Sequence, residues 1–366
     1  MPLTLVIPEL LWPEPEDRDT QDALICPALT TLLARATCRH RPAVSYEAAL
    51  CDAAGLADGA PYAALRRMGE ADAQRGAHDG QAQLCIDPVH LRFLQERLVL
   101  ADPSQLALSD EETRSIIDDF NRNLATFGRF HSGTAGRWYL EPNDPALATE
   151  HHLPPLSAVA GRSVERLLPS TSEARNQRRL HNEAQMLLHA HPVNRAREET
   201  GKMTINALWL WGGGTLPAPR DEAPALELPF DSVWSTDPLA RGLARAAGVP
   251  TAPQPADATT WLANTAPDAH SLVVIDELAS AVHYESGEAY RAALSRLDTD
   301  WFAPLLAALR RGTLHGELTL IAPTVYGLIE WRLGRLASWA FWRRAKPLAN
   351  LAREFAAHHD TPPKTP

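Results

Sequence analysis

The chain has 366 residues, 45% of them apolar and 22% charged, the balance of an ordinary globular protein with ample core. Its formal charge of −10 argues against a general nucleic-acid binder, because neutralising phosphates takes a net basic face. Cys26, Cys38, Cys51 and Cys85 form neither a C-x-x-C motif nor a disulfide framework, which suits a reducing compartment. Residues 1–7 lack the basic start of a signal peptide, and no apolar run reaches the ~18 residues of a membrane span. A cytoplasmic protein is expected.

In chain order, four apolar runs read as core strands of one parallel sheet: residues 3–7, 205–211, 272–275 and 318–321. Helical segments between them imply an α/β fold with right-handed crossovers. The first two runs are too far apart for one crossover, so an inserted domain is expected. We assign residues 1–85 plus 200–350 to an α/β core, residues 86–199 to an inserted α+β cap, and residues 351–366 to a C-terminal segment with a disordered tail from 360. Within the cap, Ser109-Asp110-Glu111-Glu112 spells a capping box, and Ile116, Ile117, Phe120 and Leu124 form the apolar stripe of the helix that follows. The Pro-rich residues 141–172, with His151 and His152, read as loops. Asp237-Pro238 opens a helix that Gly248 closes, with Leu239 and Leu243 on one face. Residues 326–344, rich in Trp and Arg, read as a C-terminal helix docked on the core with its arginines outward, or offered to lipid headgroups, nucleic acid or a protein partner.

Residues 187–214 hold the densest chemistry. Ile205-Asn206-Ala207-Leu208-Trp209-Leu210-Trp211 runs into Gly212, Gly213 and Gly214, and glycines after a strand let backbone N–H groups approach a ligand. Upstream, His191, Asn194, Arg195 and Arg197 suit bidentate recognition of a phosphate or carboxylate. Together with Asn206 they form a candidate site for a small phosphorylated or carboxylated anion. No Walker-type Lys follows the glycines, so this is not a P-loop. His181, His189 and His191 lack a further helical or Cys ligand and read as ordinary histidines rather than zinc ligands. At the end of the third strand, Asp276 and Glu277, with His283 and Glu285 beyond, have the donors of a divalent-ion site. They equally suit a helix N-terminus, where acids offset the dipole.

The ordered series of residues 3–9, the Ser109 helix, His191-Pro192-Val193-Asn194, residues 209–214, residues 240–248 and residues 274–276 resembles the cofactor-independent phosphoglycerate mutases of the alkaline-phosphatase superfamily. The archaeal-type branch is the nearer one. More closely still, the chain resembles the proteobacterial Rpf-type regulatory proteins. The resemblance implies an alkaline-phosphatase-like parallel-sheet core, two divalent ions (Mn, Mg or Zn), a Ser nucleophile and an inserted domain that closes over phosphoglycerate. Of the implied ligands, Asp276 is present, and His283 corresponds only after a three-residue insertion. The first strand should end in Asp-Gly, yet Pro8-Glu9-Leu10 stands there. The nucleophile turn matches best at Asp58-Gly59-Ala60-Pro61, which has no Ser, Thr or Cys, and Ala322-Pro323 replaces an Asp-His strand end. Loss of a nucleophile and its metals removes most of the catalytic power of such a site. The expected function is therefore a non-catalytic, regulatory or anion-binding one. A metal-dependent mutase or phosphohydrolase, and an interaction module built on residues 331–344, are the alternatives.

Overall fold

The computed structural model describes residues 1–56, 59–70, 80–94, 96–149, 153–167, 175–217 and 224–359. Asp58, His151, His152 and residues 360–366, named above, lie outside them. Twelve strands run through the described residues: β1 (Leu3–Val6), β2 (Thr37–Arg41), β3 (Ala82–Leu94), β4 (Arg97–Ala101), β5 (Gly128–Thr134), β6 (Arg137–Pro142), β7 (Ala207–Thr215), β8 (Ser232–Trp234), β9 (Thr251–Ala252), β10 (Ser271–Val274), β11 (Leu318–Thr324) and β12 (Gly327–Leu333).

The chain forms two compact units, one of Met1–Gly55, Leu228–Asp237 and Val249–Pro366, the other of Leu56–Glu227 and Pro238–Gly248. This division differs from the expected domains. Residues 56–85, 200–227 and 238–248 leave the expected core and join the unit that contains the expected cap. The physical reason is a close backbone contact between two helices of the second unit, Tyr62–Gly69 and Pro238–Ala246. A Cβ on Gly69 would lie 1.6 Å from the Pro238 carbonyl oxygen, and one on Gly242 would lie 1.7 Å from that of Leu65. Only glycine admits such an approach.

The first unit holds a seven-stranded sheet ordered β2-β12-β11-β1-β10-β8-β9. β1 lies inside it, buried throughout and parallel to both β10 and β11, and β8 and β9 continue the parallel run. The expected α/β class with a parallel-centred sheet is therefore what this part of the sequence forms. Continuous apolar runs are buried on both faces, one of which packs with Trp261, Tyr290, Trp301 and Phe302.

The second unit is built on a different plan. Its sheet is antiparallel, and β3 pairs with β4, β6 and β7. Here the run 205–211 departs from expectation: it enters β7 of this sheet, not the parallel one. An apolar run shows that both faces of a strand are covered but says nothing about strand direction. The capping box is formed as expected, with Glu112 N–H donating to Ser109 Oγ and Ser109 N–H to Glu112 Oε2. Its helix, Asp110–Asn123, buries Ile116, Ile117 and Phe120.

Residues 326–344 also depart from expectation. They form β12, antiparallel to β11 and β2, and then a short 3-10 turn, Ala337–Trp339, in place of a helix. Within β12, Leu328, Ile329 and Trp331 are buried while Arg332 faces out. Among the described residues no helix is long and apolar enough to cross a membrane.

Candidate functional site

In parallel α/β sheets, chemistry gathers at the carboxyl ends of the strands. In the first unit these ends carry acids. Glu9 follows β1 in the left-handed region (φ 57°), and its N–H donates to the Pro323 carbonyl at 2.9 Å. Its buried carboxylate lies 3.9 Å from Nε2 of His283, the last residue of the helix Glu277–His283. Asp276 precedes that helix and makes no side-chain cap. It is solvent-exposed, yet the surrounding protein partly desolvates its carboxyl and holds it above the usual range.

Asp237 stands beyond β8, where its N–H donates to Ser235 Oγ at 2.9 Å. The helix Tyr46–Ala53 starts nearby in this unit, capped by Ser45 Oγ, which accepts from Ala48 N–H at 3.2 Å. Burial pushes the Tyr46 phenol well above its ordinary range, and Asp237, Asp276 and Glu47 push it the same way. Burial, reinforced by Glu47 and Asp237, also holds the Cys51 thiol up to about 12. Both groups stay protonated at neutral pH. The strand ends therefore form an acidic environment around a neutral phenol, which repels a bare phosphate.

Two divalent ions would need several carboxylates and histidines converging on each. The first unit brings Glu9 to His283, and Tyr46 to Asp237, Asp276 and Glu47. Among the described residues no three His, Cys, Asp or Glu side chains form a metal-holding group. The donor set of the described residues does not fit a two-metal centre. Asp276 and His283, the candidate ligands, thus have different neighbours: a tyrosine for one, a glutamate for the other. Sequence reading missed Tyr46, Glu47 and Asp237. Strand β8 is three residues long, too short for a periodicity to reveal that Asp237 follows a strand end.

The candidate anion residues lie in the second unit, where most serve its own fold. His191 caps the helix Pro192–Glu199 by accepting from Val193 N–H at Nδ1, and its Nε2 lies 3.0 Å from Asp119. Asn194 donates to the carbonyls of Leu188 and Ile205 at 2.7 Å and accepts from Ile205 N–H. Arg197, 1% exposed, binds both oxygens of Glu112, the Met203 carbonyl and the Leu106 carbonyl. Arg195 is exposed. Gly212, Gly213 and Gly214 sit inside β7, not in a loop. A Cβ on Gly213 would meet the Ala148 carbonyl oxygen at 1.9 Å, while those on Gly212 and Gly214 would press on Tyr62 and Pro61. These glycines admit neighbouring main chain, and His191, Asn194 and Arg197 hydrogen-bond within their own unit.

Asn206 is different. Its amide exchanges hydrogen bonds with both backbone groups of Leu91 at 2.8 Å, and it also borders a cleft of about 500 Å³. Leu210 and Leu98 give that cleft an apolar wall, and Asn182, Gln185, Arg178 and His181 from the helix Arg175–Ala190 give it a polar one. Burial lowers the His181 pKa, so the imidazole is neutral at pH 7. Arg178 is the one formal charge among the described lining residues. The volume lies within the usual range of small-molecule sites.

No family model matches the chain. Curated relatives are 2,3-bisphosphoglycerate-independent phosphoglycerate mutases. Mutase 2 of Methanothermobacter thermautotrophicus is 38% identical over 108 residues, 29% of this chain and 27% of that protein. The Methanosarcina mazei mutase is 28% identical over 138 residues, 37% of this chain and 34% of that one. A probable mutase of Geobacter sulfurreducens is 28% identical over 148 residues, 40% of this chain and 37% of its own length. The matches thus span about a quarter to two fifths of these relatives (27%, 34% and 37%). Among solved structures, the PH0037 protein of Pyrococcus horikoshii superposes with a TM-score of 0.52 at 13% identity, covering 98% of this chain and 96% of that one. That likeness shows a shared fold.

Proposed function

We propose that the chain is a degenerate phosphoglycerate-mutase-like protein, with an alkaline-phosphatase-like core that no longer transfers phosphoryl groups, acting as a cytoplasmic regulatory or small-anion-binding protein. One observation carries the reading: among the described residues no three His, Cys, Asp or Glu side chains form a metal-holding group, while Glu9 lies 3.9 Å from His283 and Asp237 and Asp276 act on Tyr46. Regulation follows from the resemblance to Rpf-type proteins, and the anion-binding role belongs to the cleft beside Asn206 and Arg178. Purified full-length protein supplied with Mn²⁺, Mg²⁺ or Zn²⁺ is expected to show neither phosphoglycerate mutase nor phosphatase turnover above background. Elemental analysis is expected to find no stoichiometric ion. Metal-dependent turnover that Asp276→Ala abolishes would overturn the proposal. It would favour the second reading, an active mutase-type enzyme, which the activity named for the curated relatives supports.

A further inference from the structure

The most anomalous surface of the molecule follows β12 in the first unit. Leu336, Trp339, Phe341 and Trp342 are 90%, 57%, 81% and 69% exposed, while the small residues between them, Ser338 and Ala340, are 0% and 5% exposed. This inverts the usual pattern, in which large apolar groups pack inward and small polar ones face water. Leu336 precedes a 3-10 turn and Trp339 is its last residue, and residues three apart in such a turn lie on one side. Phe341 and Trp342 contact each other edge to face at 5.3 Å.

The display is built in. Ser338 is anchored from below, its carbonyl accepting from Arg35 and its hydroxyl donating to the Arg335 carbonyl at 2.6 Å. Arg343 donates to the carbonyls of Arg35 and Ala36 at 3.0 and 3.3 Å, which holds the other end. Arg310 lies 5.8 Å from the Trp339 ring. The turn therefore presents its aromatics on a braced backbone.

Charge singles out the same segment. Residues 331–346 contain Arg332, Arg335, Arg343, Arg344 and Lys346 and no Asp or Glu, in a chain of formal charge −10. Glu330 pairs with Arg332 and Glu354 with Lys346. Among the described residues no carboxylate pairs with Arg335, Arg343 or Arg344.

We propose that this turn is a peripheral docking surface for an anionic lipid bilayer: Leu336, Trp339, Phe341 and Trp342 enter the interface, and Arg335 and Arg344 lie against headgroup phosphates. Trp rings favour the membrane–water boundary, and basic residues beside them add electrostatic attraction to anionic headgroups. A local cationic cluster matches a negatively charged surface and disfavours pairing of this patch with the same patch of a second copy. The inference is independent of whether the first unit catalyses.

The test is co-sedimentation of the full chain with phosphatidylcholine vesicles, with and without phosphatidylglycerol. Binding is expected only to the anionic vesicles and to weaken as salt rises. The double variant Phe341→Ser/Trp342→Ser removes exposed groups only, so its thermal unfolding should match the parent while vesicle binding falls more than about tenfold. Arg344→Glu, which removes one cation and adds an anion, should weaken binding by about fivefold or more. Absence of binding to phosphatidylglycerol vesicles, or binding unchanged in the double variant, overturns the proposal. So does a wild-type dimer that the double variant dissociates while neither form binds vesicles, since the patch would then join two copies.

Discussion

The two units place their acidic residues differently. In the second unit, Asp87 is fully buried in β3 and accepts two hydrogen bonds from Arg66 at 2.7 and 2.6 Å, one from Trp211 Nε1 at 2.8 Å and one from Trp138 N–H at 3.1 Å. The Arg66 guanidinium lies between the Tyr139 and Trp211 rings, 4.7 and 4.9 Å from their centres. Every lone pair there has a partner, and the whole group is architecture. In the first unit, Glu9, Asp237 and Asp276 sit at strand ends: Glu9 lies 3.9 Å from His283, and Asp276 is exposed. The difference teaches that polar density alone does not mark a site. The polar residues around 191–197 are dense because they hold a fold together, whereas the strand-end acids are sparse and sit where ligands bind in this class.

The comparison can be broken most directly at Asp87. Asp87→Ala leaves the Arg66 charge buried without its partner and should destabilise the protein by about 3–5 kcal/mol, measured by urea unfolding. A loss below about 1 kcal/mol would mean that the pair is not the architectural element described. His131 sharpens the contrast through pH. Burial first, then Arg67 and Arg129, lower its pKa to about 4 from 6.5. The unfolded state therefore binds the proton first, and stability falls as pH drops from about 6.5 towards 4, by on the order of 3 kcal/mol. His131→Gln should flatten that part of the stability–pH curve, and an unchanged slope would rule the assignment out. The smallest effect belongs to the first unit. Asp276 is held above its usual pKa, so the folded state disfavours its charge at neutral pH. Asp276→Asn should thus be neutral to slightly stabilising, within about 0.5 kcal/mol. A loss of several kcal/mol in thermal unfolding would show that this carboxylate is structural after all.

Much of this architecture was legible wherever local chemistry alone decides. The capping box at Ser109 needs only residues three positions apart, and it formed. Strands β1, β10 and β11 were readable because parallel strands buried on both faces are uninterrupted apolar runs. Residues 205–211 have the same signature, but 207–211 pair with Cys85 to Val89 in an antiparallel sheet, since apolarity reports coverage and not direction. The Trp- and Arg-rich residues 326–344 read as helical because aromatics and arginines in a row fit a helix face. Pairing of Leu318 to Thr324 with residues 327–333 overrides that preference. Tyr46 and Asp237, 191 positions apart in sequence, meet only through tertiary structure, and no spacing rule could join them.

Glu9 repays one more look. A non-glycine residue in the left-handed region costs about 1–2 kcal/mol, and the hydrogen bond from its N–H to Pro323 fixes the path of the chain through that turn. The bend is thus set by main-chain geometry and does not depend on what the side chain is. Residue 9 is an evolvable mount: glycine or asparagine could replace the glutamate with the bend kept or even relaxed, so the chemistry at this strand end can drift while the scaffold beneath it stays still.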